Sequence, residues 1–122
     1  MNVYNKTFFH TRELNEDIQS EGLTLLNMFG YSIQLVITGT PNVEFKLQGS
    51  ADKVLFAVPL PPDIMANTWN DIQGSNATVT EDGIVTWNVT SSLYNFVRVV
   101  YTDASGGSST ATLNAKFNGK GV

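Results

Sequence analysis

Four stretches of this sequence alternate apolar and polar residues with a period of two, and a fifth is apolar on both faces; this pattern constrains the fold more than any other feature. Successive side chains of a β-strand point to opposite faces, so the alternation predicts half-buried strands. In the clearest stretch, 43–48, three apolar residues alternate with Glu44, Lys46 and Gln48. The five stretches are 31–38, 43–48, 84–89, 95–102 and 111–117.

Turn-forming residues separate these stretches. Gly, Pro, Asn and Asp cluster at 39–42, 74–76, 82–83 and 106–107, so the strands follow one another at roughly ten-residue spacing, which is typical of a sandwich or barrel. We therefore predict an all-β fold, an antiparallel β-sandwich of jelly-roll type with about eight strands. Residues 38–42 have the length of a hairpin turn. The predicted core comprises Phe45, Leu47, Trp87, Val97, Val99, Leu113 and Phe117.

The stretch 95–102 is apolar on both faces apart from one charge, so we predict a central strand that is covered on both sides. That charge is Arg98, for which two interpretations stand. A buried guanidinium would pair with a carboxylate, for which Asp71 and Glu44 are candidates. Alternatively, Arg98 reaches the sheet surface with its stem packed on neighbours.

Three shorter stretches, 23–28, 69–72 and 77–80, are weaker strand candidates. Residues 11–20 carry several carboxylates together with two apolar residues at i and i+4, Leu14 and Ile18. That spacing suits one or two helical turns, and the acidic composition suits a polar loop equally well.

Two segments lack a clear pattern and define the predicted organisation. Residues 1–22 form an N-terminal arm or edge segment, and residues 23–122 form the β-sandwich domain with an inserted apolar loop at 53–67. That loop contains three prolines within four positions, which prevents regular strand pairing.

The alternating strands are sufficient to fill the core of the sandwich. Both segments carry additional apolar side chains, for which this core has no room. A soluble monomer seldom exposes such a patch, so we predict that these side chains are buried between subunits. In the alternative, both segments fold back on their own sandwich as a lid. The candidate interface residues are Val3, Tyr4, Phe8, Phe9, Leu55, Phe56, Leu60, Ile64 and Met65.

Charge and composition restrict the classes of partner that this protein could bind. The net charge is −4, and the seven Lys and Arg residues are scattered, which argues against binding to nucleic acid or to an anionic membrane surface. There are no cysteines, so disulfides are excluded. Only 15% of the residues are charged. The surface is therefore either neutral and polar or partly hidden in an assembly.

No pattern in the sequence predicts catalysis, a metal site or a cofactor. The single histidine, His10, has no orienting partner nearby in sequence. The glycine-rich run 105–109 lacks the Lys-Ser/Thr ending of a phosphate loop. Trp69, Trp87 and the tyrosines could form a sugar-stacking platform, but aromatic residues at alternating strand positions are more often core. We therefore predict a structural or binding protein rather than an enzyme.

Several of these elements resemble a module of small virion proteins of tailed bacteriophages and, more distantly, the discoidin-like jelly roll. The resemblance covers about three-quarters of the chain, and residues 53–67 are an insertion relative to it. It rests on five motifs, Phe45-Lys46-Leu47-Gln48-Gly49-Ser50, Trp69-Asn70-Asp71-Ile72-Gln73-Gly74-Ser75, Trp87-Asn88-Val89, Tyr94-Asn95-Phe96-Val97-Arg98-Val99-Val100-Tyr101-Thr102 and Thr112-Leu113-Asn114-Ala115-Lys116-Phe117.

The resemblance implies a structural protein of the virion, assembled in the host cytoplasm. A capsid decoration (cement) protein is the leading expectation, with the major capsid protein or another virion protein as partner. It also implies a homo-oligomer, in particular a trimer, because such proteins commonly occupy threefold positions. A carbohydrate- or receptor-binding module of a phage fibre or cell surface is the alternative. No catalytic residue is implied.

Overall fold

The computed structural model of the chain describes residues 2–25, 28–52, 68–90 and 92–121. Within these ranges the chain forms ten strands and no helix. The strands are β1 Asn2–Glu13, β2 Ile18–Gln19, β3 Leu23–Thr24, β4 Met28–Thr38, β5 Val43–Ser50, β6 Asn70–Asp71, β7 Ala77–Val79, β8 Gly83–Val89, β9 Phe96–Asp103 and β10 Thr112–Gly121.

The strands form two antiparallel sheets. Sheet A has the order β1-β10-β4-β8, and sheet B has the order β2-β9-β5-β6, with β3 also paired to β9 and β7 to β5. The predicted antiparallel β-sandwich of jelly-roll type is confirmed, and all five stretches are strands. The strand number exceeds eight because β2, β3 and β6 have two residues each, too few to show an alternation.

The core lies between the sheets. Six of the seven predicted core residues are buried, and Trp87 is half-buried because β8 is an edge strand. Its indole Nε1 donates a hydrogen bond to the carbonyl oxygen of Ser75 at 2.9 Å, which ties sheet A to the β6–β7 connection of sheet B. The largest fully buried side chains are Tyr101, Phe45, Phe96, Phe117, Leu14, Ile33, Leu35, Leu47, Leu113, Val43, Val97 and Val99.

The expected hairpin at 38–42 is wrong. β4 belongs to sheet A and β5 to sheet B, so this short connection carries the chain from one sheet to the other. Gly39 makes the reversal possible with a φ of 103°, and a Cβ there would lie 3.1 Å from the Cα of Ala111. Hairpin length alone therefore did not identify the partner strand.

The N-terminal residues form the edge strand of sheet A. β1 pairs with β10 from Asn2 opposite Gly121 to Glu13 opposite Thr112, with two register shifts, one on each side of Phe9. Each shift adds one residue to β1, and each extra residue inverts the alternation of side chains. An uninterrupted period of two is therefore missing from this part of the sequence.

Residues 11–20 contain no helix, so the helical interpretation is wrong. β1 continues to Glu13, and the chain then crosses to sheet B, where β2 begins at Ile18. Leu14 is completely buried, and its amide donates to the carbonyl of Ala111 at 2.9 Å. Its apolar side chain therefore anchors the crossover rather than one face of a helix. None of the described residues forms a helix long and apolar enough to cross a membrane.

β9 is central in sheet B, as predicted, since it pairs with β5 on one side and with β2 and β3 on the other. Its outer face is only partly covered. Phe96 is completely buried, whereas Arg98 and Val100 are half-buried. The prediction of a strand covered on both sides, which rested on its apolar residues, therefore gave the outer face more burial than it has.

Replacing Phe45 with alanine should lower the free energy of unfolding by roughly 3–5 kcal/mol, because it removes a large ring from a packed interior. Phe45 is fully buried and its ring lies 5.5 Å from that of Tyr101, edge to face. Ile84→Ala is the control, since Ile84 is 64% exposed and should change the stability by only about 0.5 kcal/mol. Urea denaturation would measure both, and equal losses would contradict the assigned core.

Candidate functional site

One end of the sandwich gathers the most exposed apolar side chain of the described residues and the base of the inserted segment. We call it the Leu93 end. β5 and β8 finish there, at Ser50 and Val89, and β9 starts there, at Phe96. Leu93, in the connection between β8 and β9, is 95% exposed.

The loop that presents Leu93 is held firmly. The Tyr94 ring packs directly on Gly49, where an added Cβ would lie 2.5 Å from the ring, so only glycine fits beneath it. The backbone of Asn95 donates to the carbonyl of Ser50 at 2.8 Å, and its side-chain amide donates to the carbonyl of Asp52 at 3.0 Å. These contacts fix an apolar side chain in solvent next to the residue that precedes the segment 53–67.

The described part of the predicted interface divides into two environments. Tyr4 is 45% exposed at the Leu93 end, and its ring centre lies 6.0 Å from that of Phe117 in an edge-to-face contact. Phe8 and Phe9 are half-buried against the core, and the ring centre of Phe9 lies 6.1 Å from that of Tyr101 in an edge-to-face contact.

Further candidates lie outside the described residues, namely the side chain of Val3 and all of Leu55, Phe56, Leu60, Ile64 and Met65. The interface as a whole therefore stays a prediction. Leu93 was missing from it. The only signal in the sequence is an isolated leucine after two serines, in a stretch between two strands.

A polar network covers part of the outer face of sheet B. The guanidinium carbon of Arg98 lies 4.3 Å from the ring centre of Trp69, and its Nε donates to Gln48 at 2.8 Å. Gln48 and Lys46 both donate to the carboxylate of Asp71, at 2.8 and 3.0 Å. These two hydrogen bonds lower the pKa of Asp71.

This network bears on two hypotheses from the sequence. Arg98 is half-buried and stacks on an aromatic ring at the sheet surface, as in the interpretation in which its stem packs on neighbours. Arg98 also occupies one face of the Trp69 ring, and Trp87 is turned toward the core. The geometry therefore gives these two rings structural roles, which does not favour a sugar-stacking platform.

One further carboxylate has a structural role. Asp103 accepts hydrogen bonds from the amides of Ser105 and Gly107 at 2.9 and 3.0 Å, which caps the glycine turn. The side-chain hydroxyl of Ser105, together with these amides, lowers the pKa of this carboxyl. His10 is exposed on β1. Within the described ranges, no three His, Cys, Asp or Glu side chains cluster closely enough to hold a metal ion.

Comparison with known proteins finds solved structures whose fold is similar to that of this chain. No family model and no curated protein matches the sequence. The SPBc2 prophage-derived protein YomS superposes with a TM-score of 0.55 and 12% identity, over 97% of this chain and 92% of that chain. A Tobacco streak virus coat protein gives a TM-score of 0.48 and 8% identity, over 99% of this chain and 87% of that one.

A third solved structure is the CBM36-1 domain of a xylanase from the hindgut metagenome of Trinervitermes trinervoides. It gives a TM-score of 0.44 and 11% identity, over 99% of both chains. At such identities the similarity shows the sandwich fold alone.

Arg98→Met should cost about 1 kcal/mol of stability, because it removes the hydrogen bond to Gln48 and the cation–π contact with Trp69 at a partly exposed site. Denaturant titration followed by tryptophan fluorescence would measure it. A loss above about 3 kcal/mol would instead indicate a buried ion pair.

Tyr31 makes the stability sensitive to alkaline pH. Burial, with a smaller contribution from the nearby Tyr94, raises the pKa of Tyr31 to about 12. The same phenol ionises near pH 10 in the unfolded chain. Between these values the unfolded state loses a proton that the folded state keeps, so the free energy of unfolding should fall as the pH rises.

Urea denaturation of Tyr31→Phe from pH 9 to pH 11.5 tests this expectation. The variant should lose less stability than the wild type over this range. Equal slopes in the two proteins would contradict it.

Proposed function

We propose that this chain is a structural protein of a virion, and specifically a capsid decoration protein that binds the outer shell of a tailed bacteriophage. The observation that carries the proposal is the Leu93 end. Leu93 and Tyr4 are exposed there, and the apolar segment 53–67 departs from the same end. Leu93 and Tyr4 thus lie exposed at the end of the sandwich that also holds Asp52, the residue that precedes the segment 53–67.

The energetics of such a surface suit a repeated lattice. Burying a leucine side chain completely stabilises a contact by roughly 1.5–3 kcal/mol, which is weak for a single site. On a closed shell many copies bind side by side, and the summed contacts give avidity without a strong individual site. A decoration protein needs an exposed apolar patch of this kind and no catalytic group.

The fold supports the same proposal. YomS is derived from a prophage, and its sandwich matches nearly the full length of both chains. We propose by extension that the chain acts in the virion, as a homo-oligomer with three subunits, and that the major capsid protein or another virion protein is its partner. In this proposal the predicted interface residues of 1–10 and 53–67 join Leu93 in the contact.

Deleting residues 1–10 would be an ambiguous test, because these residues contribute most of an edge strand of sheet A. Leu93→Ser is cleaner, since Leu93 is almost fully exposed and outside the strands. It should weaken self-association or binding to purified phage heads by roughly tenfold, while the unfolding midpoint stays the same.

Ile84→Ser is the matched control, because it makes the same kind of change at an exposed apolar residue in a different place on the molecule. Analytical ultracentrifugation and co-sedimentation with phage heads would measure the effects. A wild-type chain that stays monomeric at micromolar concentration and does not sediment with heads would refute the proposal. So would equal behaviour of the two variants.

A further inference from the structure

The part of the outer face of sheet A nearest the Leu93 end is polar and carries little charge, whereas Val36 and Ile84 lie exposed further along the same face. The register of the four strands places its outward side chains in rows that run across the sheet. The first row is Asn5, Asn118, Ser32 and Asn88, and the second is Thr7, Lys116, Gln34 and Thr86. Each row crosses three gaps between strands, which gives a surface about 14 Å wide.

Two shallow hollows occupy this face and meet at its centre. One has a volume of about 260 Å³ and includes Asn88, Thr90 and Lys120 in its lining. The other has a volume of about 530 Å³ and lies against the second row. Ser32 and Asn118 line both hollows. A ligand lying along β10 would therefore cross Asn118.

The side chain of Asn118 carries an unsatisfied acceptor. Its Oδ1 is buried and accepts no hydrogen bond from the described residues. Buried polar atoms in native proteins nearly always have a partner. Because this oxygen is closed to solvent, a ligand in the hollows would lie over the side chain of Asn118 without reaching its Oδ1.

The charges around the hollows have one sign although the protein has a net charge of −4. Lys116 and Lys120 lie two residues on either side of Asn118 along β10, about 13 Å apart at the usual rise of a strand. No carboxylate is among the described residues that line the hollows. The third lysine there, Lys6, is paired with Glu21 at 2.9 Å.

We propose that this face binds an acidic polysaccharide, that is, a glycan whose sugar rings carry carboxylate groups. Such a ligand provides anions for Lys116 and Lys120. The amide and hydroxyl side chains of the two rows suit the remaining sugar hydroxyls. The proposal goes beyond a role in the virion and does not depend on it.

Two other classes of partner fit this face less well. Protein interfaces concentrate binding energy in large aromatic, Met or Arg side chains, and the two rows contain none. Single-stranded nucleic acid requires aromatic stacking platforms. The aromatic residues that line the hollows, Tyr31 and Phe117, are buried in the core.

Isothermal titration calorimetry with polygalacturonate at low salt tests the proposal. Lys116→Gln combined with Lys120→Gln should weaken binding roughly tenfold. Lys46→Gln is the matched control, since it removes the same charge from the outer face of sheet B and should leave the affinity unchanged. Fully methyl-esterified polygalacturonate keeps the sugar but loses the charge, so it should bind more weakly and should not respond to the double substitution.

Three further outcomes would overturn the proposal as a whole. The first is equal affinity for the methyl-esterified polymer, which would indicate a neutral glycan. The second is equal affinity for polyphosphate or single-stranded DNA, which would indicate unspecific attraction of polyanions. The third is no binding to polygalacturonate, alginate or hyaluronan at millimolar sugar concentration.

Discussion

Sheet A depends on one strand, β10, which pairs with β1 along one side and with β4 along the other over nearly all of its ten residues. Successive side chains of β10 point in turn to the inner and the outer surface of the sheet. Leu113, Ala115 and Phe117 fill the space between the sheets, while Lys116 and Asn118 face outward. Because a shift by one residue would exchange these two sets, burial of the inner set also fixes the position of every outer side chain.

Much of the fold was predictable from the sequence because four strands alternate without interruption, a fifth is apolar on both faces, and each has one face in the core. The parts that escaped prediction have specific physical causes. Two extra residues in β1 break its alternation, and β2, β3 and β6 are too short to show one. The sheet to which a strand belongs is a further unknown, as the connection from β4 to β5 shows, because alternation reports burial and not the pairing partner.

The candidate surfaces were less predictable than the fold. Tyr4 was identified from the apolar residues left over by the core, but the same argument included Phe8 and Phe9, which pack against the core. Leu93 was missed because a single leucine in a loop carries no periodic signal. The outer face of sheet A could not be inferred at all, since its rows join residues from four strands and exist only once the register is known.

The position of β10 also sets an order of events when the chain is made. β1 and β4 both pair with residues 112–121, and Asn2 lies opposite Gly121. On a ribosome these two strands are therefore synthesised long before the strand that joins them. The chain must also close a loop that spans nearly the whole sequence, and contacts at such separation make folding slow. Until β10 emerges, β1 and β4 expose unpaired backbone groups, and during this interval the nascent chain is most prone to aggregate.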